Sequence, residues 1–388
     1  MTRPAVMNDK PTIFLTAAEA SGDSHGAGLV TVLNRRLPGA RLVGAGGAKM
    51  AAAGCEILLD MTAQASMLHG PFLKLHYFHR CLRQLKRHMR DIAPDVVVPI
   101  DSPALNWHIA KAAKAIGALV MYYVAPQVWA WAPWRVRKLA RLTDRVACIL
   151  PFEQDYLRRR GVQARFVGHP MFDHLSPRPA ELPDLQAASQ SGRWCVALLP
   201  GSRPGEITAH APAMTAAAEA ITQRWPQARC TFTAPDETAA ERIAAAAGLP
   251  RADIAVGRTA EVLAQCHFAV AASGTVTLEV AHYGVPMVIV YRVSRAGYSL
   301  VGRWLIRTPY LSLVNILAGR QITPELMPWF GNINQLVRAT LDMMSDPDAL
   351  ARARRDLLDV TAPLERRPKP TAEAVADMIV ELLARPGG

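Results

Sequence analysis

The sequence predicts an α/β protein built from two doubly wound parallel sheets, one in each half of the chain, facing each other across a cleft. Short apolar runs alternate with longer helical stretches along all 388 residues, the pattern of parallel strands clothed by helices. That length exceeds one ordinary core and suits two domains. Two glycine-rich turns, Leu199-Pro200-Gly201-Ser202-Arg203 and Ala272-Ser273-Gly274-Thr275, each follow an apolar run and precede a helix. In a doubly wound sheet, turns of that kind lie at the carboxyl ends of strands, where ligands bind.

In the first half, strands are expected at Ile13–Thr16, Arg41–Gly44, Val96–Ile100, Leu119–Val124, Arg145–Leu150 and Ala164–Val167. Helices are expected near Gly26–Arg36, Pro71–Ile92, Asn106–Ile116, Pro133–Arg141 and Phe152–Arg160. Ser176–Gly192, rich in Pro, Ser, Ala and Gln, reads as a linker. The second half repeats the theme, with strands at Cys195–Leu199, Arg229–Thr233, Ile254–Val256, Phe268–Ala271 and Met287–Tyr291. Its helices fall at 211–224 and 238–247, from Asn334 to Leu358, and, after a break at Pro363–Pro370, from Thr371 to Ala384. The expected segments are therefore 1–175, 190–358 and a C-terminal piece, 359–388, that returns to the first domain or to a partner subunit.

Hydrophobic residues make up 51% of the chain, yet no apolar run is long enough to span a bilayer. The polar start, Met1–Lys10, carries no secretory core, and Thr12–Ala18 reads as a first strand. Six scattered cysteines without CxxC or a His/Cys cluster argue against disulfides and zinc, and fit a reducing cytoplasm. The net charge of +12 admits nucleic acid, an anionic membrane, anionic substrates or a solvated basic face. Nucleic acid lacks a recognition module.

The motifs carry the chemistry. At the two glycine turns, helix N-termini offer N–H groups and a positive dipole end to phosphate, and Arg203 adds a cationic fork. Glu279 is placed to accept hydrogen bonds from a ribose diol. Together these point to a nucleoside diphosphate. After the first strand, Glu19-Ala20-Ser21-Gly22-Asp23 offers carboxylates for a sugar hydroxyl, or a helix cap. Asp101, leaving the buried run Val96–Ile100, suits a general base, or a cap before Pro103. Asn106 can hold a hydroxyl or cap the same turn. Trp129 and Trp131 can wall an acyl or sugar site or pack between loops. His169 is a cleft residue or a satisfied structural histidine. Asn315 and Arg320 can line the nucleotide or satisfy loop backbone. In the 71–92 helix, Phe72, Leu75, Phe78, Leu82, Leu85 and Met89 form a core stripe. Met67, Leu68, Leu73 and Tyr77 lie outside it, beside Lys74, Arg80, Arg83, Lys86, Arg87 and Arg90, which reads either as a surface for an anionic leaflet or as a solvated face.

The ordered set EASGD (19–23), DSP..N (101–106), VAPQVWAW (124–131), LPFE (150–153), FVGHP (166–170), LPGSR (199–203), ASGTVTLE (272–279), GVPMVIVYR (284–292) and SLVNILAG (312–319) resembles the lipid-A-disaccharide synthase family. The resemblance implies the GT-B fold and an inverting transfer from UDP-2,3-diacylglucosamine to the 6-hydroxyl of 2,3-diacylglucosamine 1-phosphate, without cofactor or bound metal. Carried over by position, Asp101 and Glu19 are the catalytic candidates. Ser21, Asp23, Asn106, Gln127, Trp129 and His169 are implied on the first half. Ser202, Arg203, Ser273, Gly274, Thr275, Glu279 and Asn315 are implied on the nucleotide half. The resemblance also implies peripheral association with the cytoplasmic face of an inner membrane, and it is compatible with a homodimer. On the motifs of the second half alone, another UDP-sugar transferase or an epimerase is the rival. From a different class, the rival is a nucleotide- or membrane-binding protein without catalysis.

Overall fold

A computed structural model describes residues 10–61, 71–294 and 308–384, without the side chains of 71–76 and Trp131. The chain divides into two compact units, 1–173 with 367–388, and 174–366. Within the described residues each unit holds one parallel sheet.

The first sheet is formed by β1 (Thr12–Ala17), β2 (Arg41–Gly46), β3 (Glu56–Asp60), β4 (Val96–Ile100), β5 (Leu119–Tyr123), β6 (Arg145–Cys148) and β7 (Ala164–Phe166). Their order across it is β3-β2-β1-β4-β5-β6-β7. Alternate residues point to opposite faces, and both faces are covered. Phe14, Val97 and Tyr122 pack with Cys81, Leu85 and Ile109 of the helices Pro71–Ile92 and Pro103–Ala115. Ile13, Leu15, Val96 and Val98 pack on the other side with Leu29 and Leu33 of the helix Ala20–Arg36. The C-terminal helix Thr371–Leu383 joins that second layer through Val375, Ala376, Ile379 and Leu382. Each fully buried aliphatic side chain there contributes about 1.5–3 kcal/mol. Ion pairs of Arg35 and Arg36 with Glu373, and of Arg36 with Asp377, fringe the seam. The nearly buried pair Arg367–Asp173, 2.8 Å apart, fastens the point where the chain re-enters this unit.

The second sheet comprises β8 (Cys195–Leu199), β9 (Arg229–Ala234), β10 (Ile254–Val256), β11 (Phe268–Ala272), β12 (Met287–Arg292) and β13 (Glu325–Trp329). The order is β10-β9-β8-β11-β12-β13. Val196, Leu198, Phe268, Val270, Val288 and Val290 meet Ile207, Met214 and Ile221 of the helix Pro204–Arg224.

The structure amends several sequence expectations. β3 and β13 go unread because both are edge strands with few buried positions; β13 also contains Pro328, which an edge tolerates. The first helix begins at Ala20, not Gly26, because its small first-turn residues let it lie close to β1: a Cβ on Gly22 would sit 3.3 Å from the Ala17 Cβ. The expected linker contains a helix, Leu185–Ser191, capped by Asp184. The stretch 334–358 lies in two helices, Ile333–Met344 and Pro347–Glu365, because Asp346 caps a new start at Pro347. Tyr77, expected outside the apolar stripe, packs against the core with Phe78, while Arg80, Arg83, Arg87 and Arg90 are exposed. Met67 and Leu68, and the side chains of Phe72, Leu73, Lys74 and Leu75, lie outside the described residues. Among the described residues no helix is long and apolar enough to cross a membrane.

Candidate active site

Each sheet has one place where the strand order reverses: between β1 and β4 in the first unit, and between β8 and β11 in the second. Ligands bind outside the carboxyl ends of strands at such points.

In the first unit Ala17 of β1 is the register partner of Ile100 of β4. Glu19 and Asp101 therefore leave neighbouring strands at the same level. Glu19 is exposed and takes the N-cap position of the helix Ala20–Arg36 in extended backbone, without a side-chain capping bond. Asp101 and Ser102 both adopt left-handed backbone, with φ of 51° and 40°. Non-glycine residues enter that region at a cost, and such strain gathers at functional sites.

A buried network holds the strained turn. The Asp101 N–H donates to the Tyr123 carbonyl at 2.9 Å. The Asp101 carbonyl accepts from Asn106 Nδ2 at 2.7 Å and from the Tyr122 hydroxyl at 2.8 Å. Asn106 Nδ2 also donates to the Ile100 carbonyl at 2.9 Å, and its Oδ1 accepts from Thr16 Oγ1 at 2.8 Å. Asn106 is 0% exposed. Its amide is engaged by the Ile100 and Asp101 carbonyls and the Thr16 hydroxyl, so it holds the Asp101 bend.

The other first-unit candidates separate in the same way. Ser21 and Gln127 are exposed. Asp23 is buried, and its carboxylate accepts from the N–H groups of Gly47, Lys49 and Met50 at 2.7, 3.1 and 3.2 Å. It caps the helix Ala48–Ala52 and has a structural task. Trp129 is half-buried; its indole N–H donates to Glu153 Oε1 at 3.0 Å, and its ring meets Phe152 edge-on. Glu153 caps its own helix start through the Leu150 N–H. Burial pushes its carboxyl up to about 7, against the lowering effect of the Trp129 and backbone bonds. His169 is buried, with Nδ1 accepting from the Met171 N–H at 3.3 Å. Burial above all, with His25 and Arg367 nearby, lowers it to about 3, so the ring is neutral.

In the second unit Leu199 of β8 is the register partner of Ala271 of β11. The two glycine turns thus leave adjacent strands side by side. Gly201 has a φ of +107°, and a Cβ there would meet Glu206 Oε2 at 2.6 Å. Only glycine fits this bend. Ser202 and Arg203 are exposed at the start of the helix Pro204–Arg224. Glu206 pairs with Arg203 Nη1 at 2.9 Å and accepts from the Arg203 N–H at 3.3 Å, which steadies the turn. In the second turn the Ser273 N–H donates to the Val290 carbonyl at 2.9 Å, and Gly274 and Thr275 are exposed. Glu279 is half-buried and its carboxyl is raised by burial, with His282 opposing.

Asn315 is 0% exposed. Its Oδ1 accepts from the N–H groups of Ile322 and Thr323 at 2.8 and 3.2 Å, and its Nδ2 donates to the Thr323 carbonyl and Glu325 Oε2 at 3.0 and 2.8 Å. That fills the usual capacity of an amide, so Asn315 builds the 311–325 segment and has no bond left for a nucleotide. Glu325, unread in the sequence, completes the segment by accepting from Leu311 N–H, Ser312 N–H and Ser312 Oγ. Arg320 pairs with Asp356 at 2.7 Å. Among the described residues no group of three or more His, Cys, Asp and Glu side chains is arranged to hold a metal ion.

Two parallel sheets of this order, one in each unit, define the GT-B fold. The solved calicheamicin glycosyltransferase CalG4 has this fold at a TM-score of 0.57 and 16% identity, over 97% of this chain and 99% of that one. MurG of Acinetobacter baumannii matches at a TM-score of 0.51 and 13% identity, over 96% and 99%. Residues 13–377 match the family model described as lipid-A-disaccharide synthetase. A lipid-A-disaccharide synthase of Syntrophus aciditrophicus is 38% identical over 356 residues, 88% of this chain and 90% of that protein. The chain belongs to the lipid-A-disaccharide synthase family, glycosyltransferases of lipid A biosynthesis.

Proposed function

We propose that this chain condenses UDP-2,3-diacylglucosamine with 2,3-diacylglucosamine 1-phosphate to give the β-1,6-linked disaccharide 1-phosphate and UDP. The observation that carries this reading is the placement of Glu19 and Asp101 just beyond the paired ends of β1 and β4, in a chain of this family. Asp101 takes the proton from the acceptor 6-hydroxyl as that oxygen bonds to the donor anomeric carbon. The bond from that carbon to the diphosphate oxygen breaks in the same displacement, inverting the centre, and UDP leaves with the electron pair. Glu19 orients the acceptor through a second hydroxyl. Arg203, the Ser202 hydroxyl and the N–H groups of Gly201, Ser202 and Gly205 meet the charge on the departing diphosphate. Ser273, Gly274 and Thr275 line the same group, and Glu279 accepts from the ribose hydroxyls. Ser21 and Gln127 contact the acceptor from its edge. The exposed arginines of the 71–92 helix fit a surface that meets anionic headgroups at the cytoplasmic face of the inner membrane. Assembly as a homodimer by exchange of the C-terminal segment between copies belongs to the same reading.

The test is a mass-spectrometric product assay with both lipid substrates, comparing wild type with Asp101→Asn. Asparagine tolerates left-handed backbone, so the turn survives the change. Disaccharide phosphate and UDP from wild type, with a loss of about 10²–10⁴ in kcat in the variant, is the expected result. Equal rates would move the base to Glu19. No product from folded wild type across several acyl lengths would overturn the substrate assignment.

A further inference from the structure

We propose that His210 is a positioning residue that locks the phosphate-facing turn after β8 in register with the turn after β11, using the end of β12 as a common anchor. The inference rests on the reading that these two turns hold the nucleotide. His210 lies in the first half of the helix Pro204–Arg224, is 1% exposed, and bridges two backbone segments that no strand pairing joins. Its Nδ1 is 3.0 Å from the Pro200 carbonyl, the residue immediately before Gly201. Its Nε2 is 3.0 Å from the Arg292 N–H at the end of β12.

Chemistry fixes the tautomer. A carbonyl only accepts, so Nδ1 carries the hydrogen; a backbone N–H only donates, so Nε2 carries the lone pair. A doubly protonated ring would lose the Arg292 bond. Burial foremost, with Arg292 adding to it, lowers the affinity of the ring for a second proton, while the Pro200 carbonyl and Glu206 oppose. The rings of Tyr291 and Trp329 flank the imidazole.

The same strand end holds the other turn. Ser273 donates its N–H to the Val290 carbonyl at 2.9 Å. Val290 and Arg292 bracket the irregularity in the pairing of β12 with β13. A short stretch, Val290–Arg292, therefore makes one hydrogen bond toward each turn: the Val290 carbonyl accepts from Ser273, and the Arg292 N–H donates to His210, which in turn donates to the Pro200 carbonyl. A diphosphate that spans both turns needs their N–H groups at a fixed spacing. The bridge supplies that spacing without touching the ligand.

The experiment measures UDP affinity by titration calorimetry for wild type, His210→Asn, His210→Gln and His210→Leu, with donor KM, kcat and thermal midpoint on the same preparations. Asparagine and glutamine each reach one end of the bridge only, and leucine neither. All three are expected to weaken UDP and raise donor KM by roughly tenfold to a hundredfold, the scale of leaving a buried donor or acceptor unpaired, with kcat at saturating donor little changed. Ile221→Ala, a core truncation in the same helix, is the control: it lowers the thermal midpoint and leaves UDP affinity unchanged. A folded His210→Asn or His210→Gln that binds UDP as wild type does, while Arg203→Ala weakens it, would overturn the bridge alone. Unchanged UDP affinity in both Arg203→Ala and the His210 variants would overturn the nucleotide reading beneath it.

Discussion

The turns after β4 and β8 leave their sheets at the same kind of place, yet they are built in opposite ways. The first bends through two non-glycine residues, Asp101 and Ser102, in left-handed backbone. Each such residue costs of order 1–3 kcal/mol, and the surroundings must impose it. Here Asn106, Tyr122 and Thr16 do so from the buried side. The second bends at Gly201, which takes a positive φ at no steric cost, and its side-chain contacts are the capping Glu206 and the buried His210. A turn that must aim one carboxylate needs a side chain at the bend and accepts strain to have it. A turn that presents N–H groups to an anion is best without side chains there.

The strained turn depends most heavily on Asn106. Asn106→Ala removes the donor from the Ile100 carbonyl, one of two from the Asp101 carbonyl, and the acceptor for Thr16. A loss of about 2–4 kcal/mol in urea unfolding of the first unit is expected, together with loss of turnover. A change under about 0.5 kcal/mol, the size of an ordinary surface substitution, would show that the network does not hold the turn. Gly201→Ala comes next. It forces alanine to a φ of +107° against Glu206, and a cost of about 1–3 kcal/mol with weaker UDP binding is expected, read by calorimetry and thermal unfolding. The smallest effect is Ser102→Gly. Glycine relieves the φ of 40° and removes a buried hydroxyl that makes no hydrogen bond. Relief and the extra entropy of the unfolded chain nearly cancel, so a stability change within about 1 kcal/mol is expected. A marked fall in kcat with stability intact would show that the rigid bend itself aims Asp101.

What the sequence reveals of the site follows from chain geometry. Apolar runs are visible, and the residue that ends each run is therefore visible too. Glu19, Asp101, Arg203 and Ser273 are all legible in this way, as are the central strands that carry them. The polar partners behind the turns are not. Asn106 and Asn315 look like ligand contacts because they are polar residues in apolar stretches; only the fold brings Thr16, or Ile322 and Glu325, to their amides. Asp23 misleads for the same reason, since the helix it caps begins at Ala48. Glu206 carried a readable signal, an acid three residues after a helix start. His210 carried none, because its two partners lie in β-strand ends on either side of it in sequence and meet only across the sheet.

In the proposed reaction, chemistry falls to the first switch point and nucleotide retention to the second. A crossed measurement separates the two roles: UDP affinity and turnover, on the same preparations, for Asp101→Asn and Arg203→Ala. Asp101→Asn is expected to keep the UDP affinity of wild type and lose turnover, whereas Arg203→Ala is expected to lose UDP affinity. An Asp101→Asn protein that binds UDP as poorly as Arg203→Ala would contradict that division of roles.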